Sequence, residues 1–87
     1  MTEDSDDLAQ LRDAPKFWRI FGRIVGETLA PANYSAADLR QWDSLRHIEL
    51  IFELEGQYEV EIEPDDIVAL YSDTDSILRF LKARKAA

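Results

Sequence analysis

Eighty-seven residues make one small domain, and a chain this short buries only a modest core, so every apolar stripe must be used. Zero cysteines exclude a disulfide framework and any thiolate nucleophile or metal ligand, and a single histidine, His47, excludes a multi-histidine metal centre. A formal net charge of -8 argues against nucleic acid and anionic membranes and favours partners with basic patches, while 46% apolar residues are too many for a disordered acidic tail.

No apolar run approaches the length of a membrane span, and the opening TEDSDD is the opposite of a basic signal peptide. The expectation is a cytoplasmic protein. Residues 1–12 are expected to be a flexible acidic tail, with Leu8 and Leu11 forming at most a short helical turn. The folded domain then spans residues 13–87. Asp13-Ala14-Pro15 offers a capping side chain and a proline suited to a first helical position. Phe17, Ile20, Phe21, Ile24, Val25 and Leu29 recur at steps of three and four, which predicts an amphipathic helix of about four turns. Trp18 lies off the centre of that stripe, and Gly22 and Gly26, four apart, leave room for a second helix to approach.

Residues 30–43, APANYSAADLRQWD, break the pattern with Pro31, Asn33 and Ser35 and predict a long loop that packs Leu39 and Trp42 on the core. The next helix is predicted from Asp43 or Ser44 to about Tyr58. Its apolar residues cover more than half the circumference, more than a surface helix needs, which predicts a second stripe facing a partner. Val60 and Ile62 alternate with acids but have no strand to pair with, so an extended loop is expected there. Pro64 and the acids after it start a short helix with Ile67, Val68 and Leu70 on its apolar side. Ser72-Asp73-Thr74 caps a last helix, with Ile77, Leu78 and Leu81 facing inward and Phe80 beside them. The fold class is all-α: a four-helix bundle with a long first loop and a short third helix.

The best candidate for chemistry is Asp43-Ser44-Leu45. A serine at a helix start is exposed, and its hydroxyl lies near unpaired backbone N–H groups that favour a phosphate attached there. Taken alone, the tripeptide is as well explained by ordinary capping. His47, three residues on, is expected to be a half-exposed surface side chain. A hydrolase pairing it with Ser44 would lack a third triad member and an evident oxyanion site. The acids Glu59, Glu61, Glu63, Asp65 and Asp66 lack the spacing and the glycine of an EF-hand, so no metal site is expected.

The surrounding sequence adds more. WDSLRHIELIFELEGQYEVEI followed by PDDI resembles the acyl carrier protein family, in which a long loop ends in D-S-L and a helix follows that reads close to L-x-x-[IV]-E-L-[IV]-x-x-L-E-x-x-[FY]. Leu45, Ile48, Glu49, Leu50, Ile51, Leu54, Glu55 and Tyr58 fill that pattern, and the resemblance covers about residues 15–84. It implies a carrier of stand-alone type, not an enzyme. Ser44, flanked by Asp43 and Leu45, would receive 4'-phosphopantetheine from coenzyme A through a phosphopantetheinyl transferase, and the arm would hold acyl groups as thioesters. Acyl-loading and acyl-transferring enzymes with basic patches would dock on Asp38, Asp43, Leu45, Ile48, Glu49, Phe52 and Glu55. The acyl chain would lie near Leu54, Ile62 and Ile67. Asp43 before the serine favours an acyl over a peptidyl carrier. Trp42, Arg46 and His47 depart from the common fatty-acid carriers and imply a specialised pathway. A monomer is expected, without nucleic-acid or membrane partners. The alternative is a non-catalytic helical interaction module in which Ser44 is only a cap.

Overall fold

Prolines at two helix starts, Pro15 and Pro64, and left-handed turns at two helix ends, Gly26 and Glu59, help divide this chain into its elements. The structure, a computed structural model, describes residues 8–86. They form five helices: α1 over residues 8–12, α2 (Pro15–Val25), α3 (Ser44–Tyr58), α4 (Pro64–Leu70) and α5 (Thr74–Ala86). Among the described residues the only pairing of extended backbone is an isolated antiparallel bridge between Ser35 and Asp73. No helix there is long and apolar enough to cross a membrane.

Pro15 opens α2 where its missing N–H is not needed, but the capping position is Ala14, with no side-chain cap, so Asp13 does not cap this helix. The helix has three turns, not four. Gly26 takes a left-handed φ of 75°, and the N–H groups of Gly26 and Glu27 both close on the carbonyl of Gly22, at 2.7 and 3.0 Å. That terminal turn explains Gly22: a Cβ there would sit 2.5 Å from the carbonyl oxygen of Glu27. The small residue makes room for the helix's own end, not for a neighbouring helix. Leu29 falls beyond the helix and is half-buried. The end of α3 repeats the device with Glu59 at a left-handed φ of 54°, a conformation that strains a residue carrying a Cβ.

The core joins Phe17, Ile20, Phe21 and Val25 of α2 to Leu50, Ile51 and Leu54 of α3 and to Ile77, Leu78 and Leu81 of α5, with Trp42, Ile62 and Leu70 closing it. Trp18, off the α2 stripe, is buried as well. Its indole N–H donates to the carbonyl of Arg12 at 2.8 Å, and Tyr34 meets its ring edge-on at 5.8 Å. Off-stripe burial needs a cover from elsewhere, and α1 and the long loop supply it.

The loop after α2 is stitched to the start of α5. Tyr34 and Thr74 exchange hydrogen bonds: the Thr74 N–H donates to the Tyr34 carbonyl at 2.8 Å, and the Tyr34 N–H to the Thr74 hydroxyl oxygen at 2.9 Å. The Ala36 N–H donates to the Ser72 carbonyl at 2.8 Å, and the Asp75 N–H to the Asn33 side-chain oxygen at 3.0 Å. Buried Asp75 then receives a two-pronged contact from Arg12, at 3.0 and 2.7 Å. Residues 8–12 form the short helical turn expected at Leu8 and Leu11, with Arg12 bonded to Asp75; residues 1–7 of the expected tail lie outside the described residues. Residues 60–63 have no regular structure and no strand partner among the described residues, and the Glu55 carboxylate accepts the Ile62 N–H at 3.0 Å.

Candidate functional site

Asp43 approaches α3 with extended backbone (φ -99°, ψ -178°), which turns its carboxylate back over the first helical turn. One oxygen accepts the Arg46 N–H at 2.9 Å, and the other meets the Arg46 guanidinium at 3.2 Å. The cap is therefore Asp43. Ser44, next in the chain, is the first helical residue and is exposed. Among the described residues no group hydrogen-bonds its hydroxyl, which stands at the positive end of a fifteen-residue helix.

A buried cluster sets the position of that end. Trp42 is sunk into the core, edge-on to Phe21 at 5.1 Å, and its carbonyl accepts the Tyr71 hydroxyl at 3.2 Å. Its indole N–H donates to Nδ1 of His47 at 3.1 Å. Nε2 of His47 lies 2.7 Å from the carbonyl oxygen of Ile67 in α4, and the Tyr71 ring stacks on the imidazole at 4.8 Å. An indole N–H can only donate and a carbonyl can only accept, so the ring is neutral with its proton on Nε2. His47 is 2% exposed, which corrects the half-exposed surface role expected of it. Its position places it on the buried side of α3, with Leu50, Ile51 and Leu54. Burial pushes its pKa below the ordinary value, only partly opposed by the bond to Ile67. With both nitrogens engaged, the ring has no lone pair to offer Ser44 as a general base.

Two apolar stripes run along α3. Leu50, Ile51 and Leu54 are buried, with Tyr58 half-buried below them. Leu45 and Phe52 are 70% and 64% exposed, and Ile48 stands beside them, also exposed. Of the acids expected at a docking face, Asp38 and Glu49 are exposed and project freely. Asp43 is exposed but shared with Arg46, and half-buried Glu55 is occupied by the Ile62 N–H. Arg23 of α2 pairs with Glu53 on the flank of the same helix at 2.9 Å.

Of the residues expected around an acyl chain, Leu54 and Ile62 are buried in the core, and Ile67 packs half-buried against that core. Val68, read from the sequence as part of the inward side of α4, is 76% exposed instead. Seven residues give fewer than two turns, and in so short a helix three apolar positions do not define a face. Val68 and half-exposed Tyr71 are therefore apolar side chains open to solvent in and just after α4. The periodicity of α3 pointed to an outward stripe; nothing in the sequence marked Val68 as exposed.

Comparisons with protein-family models, with curated proteins and with solved structures find no match to this chain.

Proposed function

We propose that this chain is a stand-alone acyl carrier protein whose Ser44 carries 4'-phosphopantetheine, with α2 to α5 as the four-helix bundle of acyl-carrier type and α1 added before it. One observation carries the proposal. In a sequence that resembles the carriers from the loop through the last helix, Ser44 is relieved of capping by Asp43 and stands exposed, its hydroxyl without a protein partner, at the N-terminus of α3. A hydroxyl committed to capping would be a poor attachment point.

The residues present fit such a group. A phosphodiester on Ser44 would lie beside the first unpaired N–H groups of α3, with Arg46, two residues on and paired with Asp43, as the nearby cation. When bound, the arm supplies the thiol that a chain without cysteine lacks, and that thiol would hold acyl groups as thioesters. The chain's own part is positional: buried Trp42 anchors the chain just before the cap, Asp43 orients the first turn, and Leu45 projects beside the attachment point. Asp38, Asp43, Ile48, Glu49, Phe52 and Glu55 make the docking face for enzymes with basic patches, including the phosphopantetheinyl transferase. Arg46 within that face weakens attraction to basic surfaces in general and favours a dedicated partner, in keeping with a specialised pathway. The carrier acts as a monomer in the cytoplasm and catalyses nothing itself, and an acyl chain between α3 and α4 would contact Leu54, Ile62 and Ile67.

Incubation with coenzyme A and a broad-specificity phosphopantetheinyl transferase, followed by intact-mass measurement, tests this. The expected result is the gain of one phosphopantetheine on the parent chain and none on Ser44→Ala. No gain on the parent, or a gain that survives the substitution, overturns the assignment.

A second reading rests on the exposed stripe itself. Leu45, Ile48 and Phe52 form an exposed apolar stripe on α3 that an interaction module would use whether or not Ser44 is modified. It calls for partner binding by the unmodified chain that is lost in Phe52→Ser and unchanged in Ser44→Ala.

A further inference from the structure

One hydrogen-bonded chain crosses from the loop before α3, through α3, to α4: Trp42 indole N–H to His47 Nδ1, and His47 Nε2–H to the Ile67 carbonyl. Only one protonation state of the imidazole makes both contacts. A neutral ring with its proton on Nε2 accepts on one side and donates on the other. A protonated ring has N–H groups on both sides, so its Nδ1–H would face the indole N–H across 3.1 Å, donor against donor. That reversal would take place at a site 2% open to water.

We propose that His47 is a proton-operated latch that holds α4 against α3 behind Ser44 and releases it when the ring is protonated.

The groups around the ring support release over tolerance of the charge. From the loop come the Trp42 indole and Asp43, whose carboxylate is already held by the N–H and guanidinium of Arg46. From α4 come the Ile67 carbonyl and Asp66, which pairs with Arg84 of α5 at 3.4 Å. Tyr71, after α4, offers its ring face, and its hydroxyl turns away to the Trp42 carbonyl. From α2, Phe21 stands behind the cluster, edge-on to Trp42. On α3 itself the adjacent charge is Arg46, a cation. Among the described residues no carboxylate pairs with the ring. The Tyr71 face offers an imidazolium some stabilisation. It does not restore the acceptor that Trp42 loses.

Release would be local because α4 is short and loosely tied. It has seven residues, buries Leu70 fully and Ile67 by half, and exposes Val68. The depressed pKa of His47 has the sign the latch requires: the open state binds the proton more tightly than the closed one, so acid favours opening. Between the open-state value near 6.5 and the closed-state value below it, the opening equilibrium shifts by up to about tenfold per pH unit.

What opening does for cargo rests on the carrier proposal, since it would free Ile67 and the seam beside the modified serine. The latch itself is tested on the unmodified chain, so the two can fail separately. Nuclear magnetic resonance between pH 7.5 and 5 would follow the His47 ring nitrogens, the Trp42 indole proton and amide exchange. The expected result is an Nε2–H tautomer at high pH that titrates below the ordinary range. The Trp42 indole signal and the protection of residues 64–71 would be lost with it, while the amides of α2 stay protected. His47→Gln keeps a donor and an acceptor without a titratable charge, and its α4 protection should be flat over that range. Trp42→Phe, which removes the facing donor, should raise the midpoint of His47 towards 6.5 and serves if the glutamine variant does not fold. An ordinary His47 midpoint without change at Trp42 overturns the latch. So does loss of α2 and α4 protection in one transition, which would make His47 a global stability group.

Discussion

Two helices of this protein begin alike and end up in opposite surroundings. α3 starts with Asp43-Ser44 and α5 with Asp73-Thr74: in each, an aspartate stands before the helix and a hydroxyl residue occupies the first helical position. In each, the carboxylate accepts the N–H three residues on at 2.9 Å, from Arg46 in one case and Ser76 in the other. The local chemistry is the same. Yet Ser44 is exposed and its hydroxyl has no partner among the described residues, whereas Thr74 is 0% exposed. The Thr74 hydroxyl accepts the Tyr34 N–H and donates to the carbonyl of Ala32 at 3.2 Å, with the Asn33 side-chain oxygen 3.5 Å away. Capping by the aspartate frees the following hydroxyl in both helices. Whether it stays free depends on what packs over it: the long loop covers the start of α5 and leaves the start of α3 open. One hydroxyl is structural, the other available.

The largest way to break that contrast is to remove the anchor of the open end. Trp42→Ala should lower stability by about 3–5 kcal/mol, since it empties a fully buried site against Phe21 and unpairs His47. Urea unfolding reads this, and a loss below about 1 kcal/mol would mean that α3 is positioned by something else. Next comes the closed end. Thr74→Val keeps the shape but leaves the Tyr34 N–H without its acceptor, for an expected loss of about 1–3 kcal/mol.

The two caps themselves should match more closely. Asp43→Ala and Asp73→Ala are each expected to lose about 0.5–2 kcal/mol, most simply compared by thermal unfolding of the pair. Hydrogen bonding to Ser76 holds the Asp73 carboxyl below its usual range, so its contribution is complete above the unfolded value near 3.8 and fades as pH falls through the lower folded value. His47 acts in a separate, higher window, beginning near its unfolded value of about 6.5. A stability profile that drops only below pH 4 would therefore show that His47 contributes nothing. The smallest effect is expected at Ser44. Ser44→Ala should change stability by no more than about 0.5 kcal/mol, because Asp43 does the capping. A loss near that of Thr74→Val would mean that the Ser44 hydroxyl is structural after all.

Much of this was legible in the residues alone. Pro15, Pro64 and the spacing of Leu45, Ile48, Leu50, Ile51, Phe52 and Leu54 set where three helices lie and which faces of α3 are apolar, because helical geometry is local and repeats every 3.6 residues. The pattern at Asp43-Ser44-Leu45 likewise marked a helix start with a hydroxyl in it. Tertiary packing decided what local geometry cannot hold. It buried Trp18 under Tyr34, drew residues 8–12 in through Arg12 and Asp75, and turned Val68 outward. It also placed His47, three residues from Ser44 and lone of its kind in the chain, between Trp42 and Ile67, a contact spanning twenty residues. A side chain's neighbours along the helix follow from its own sequence. What covers it, and so whether it is buried, paired or free, depends on segments far away in the chain.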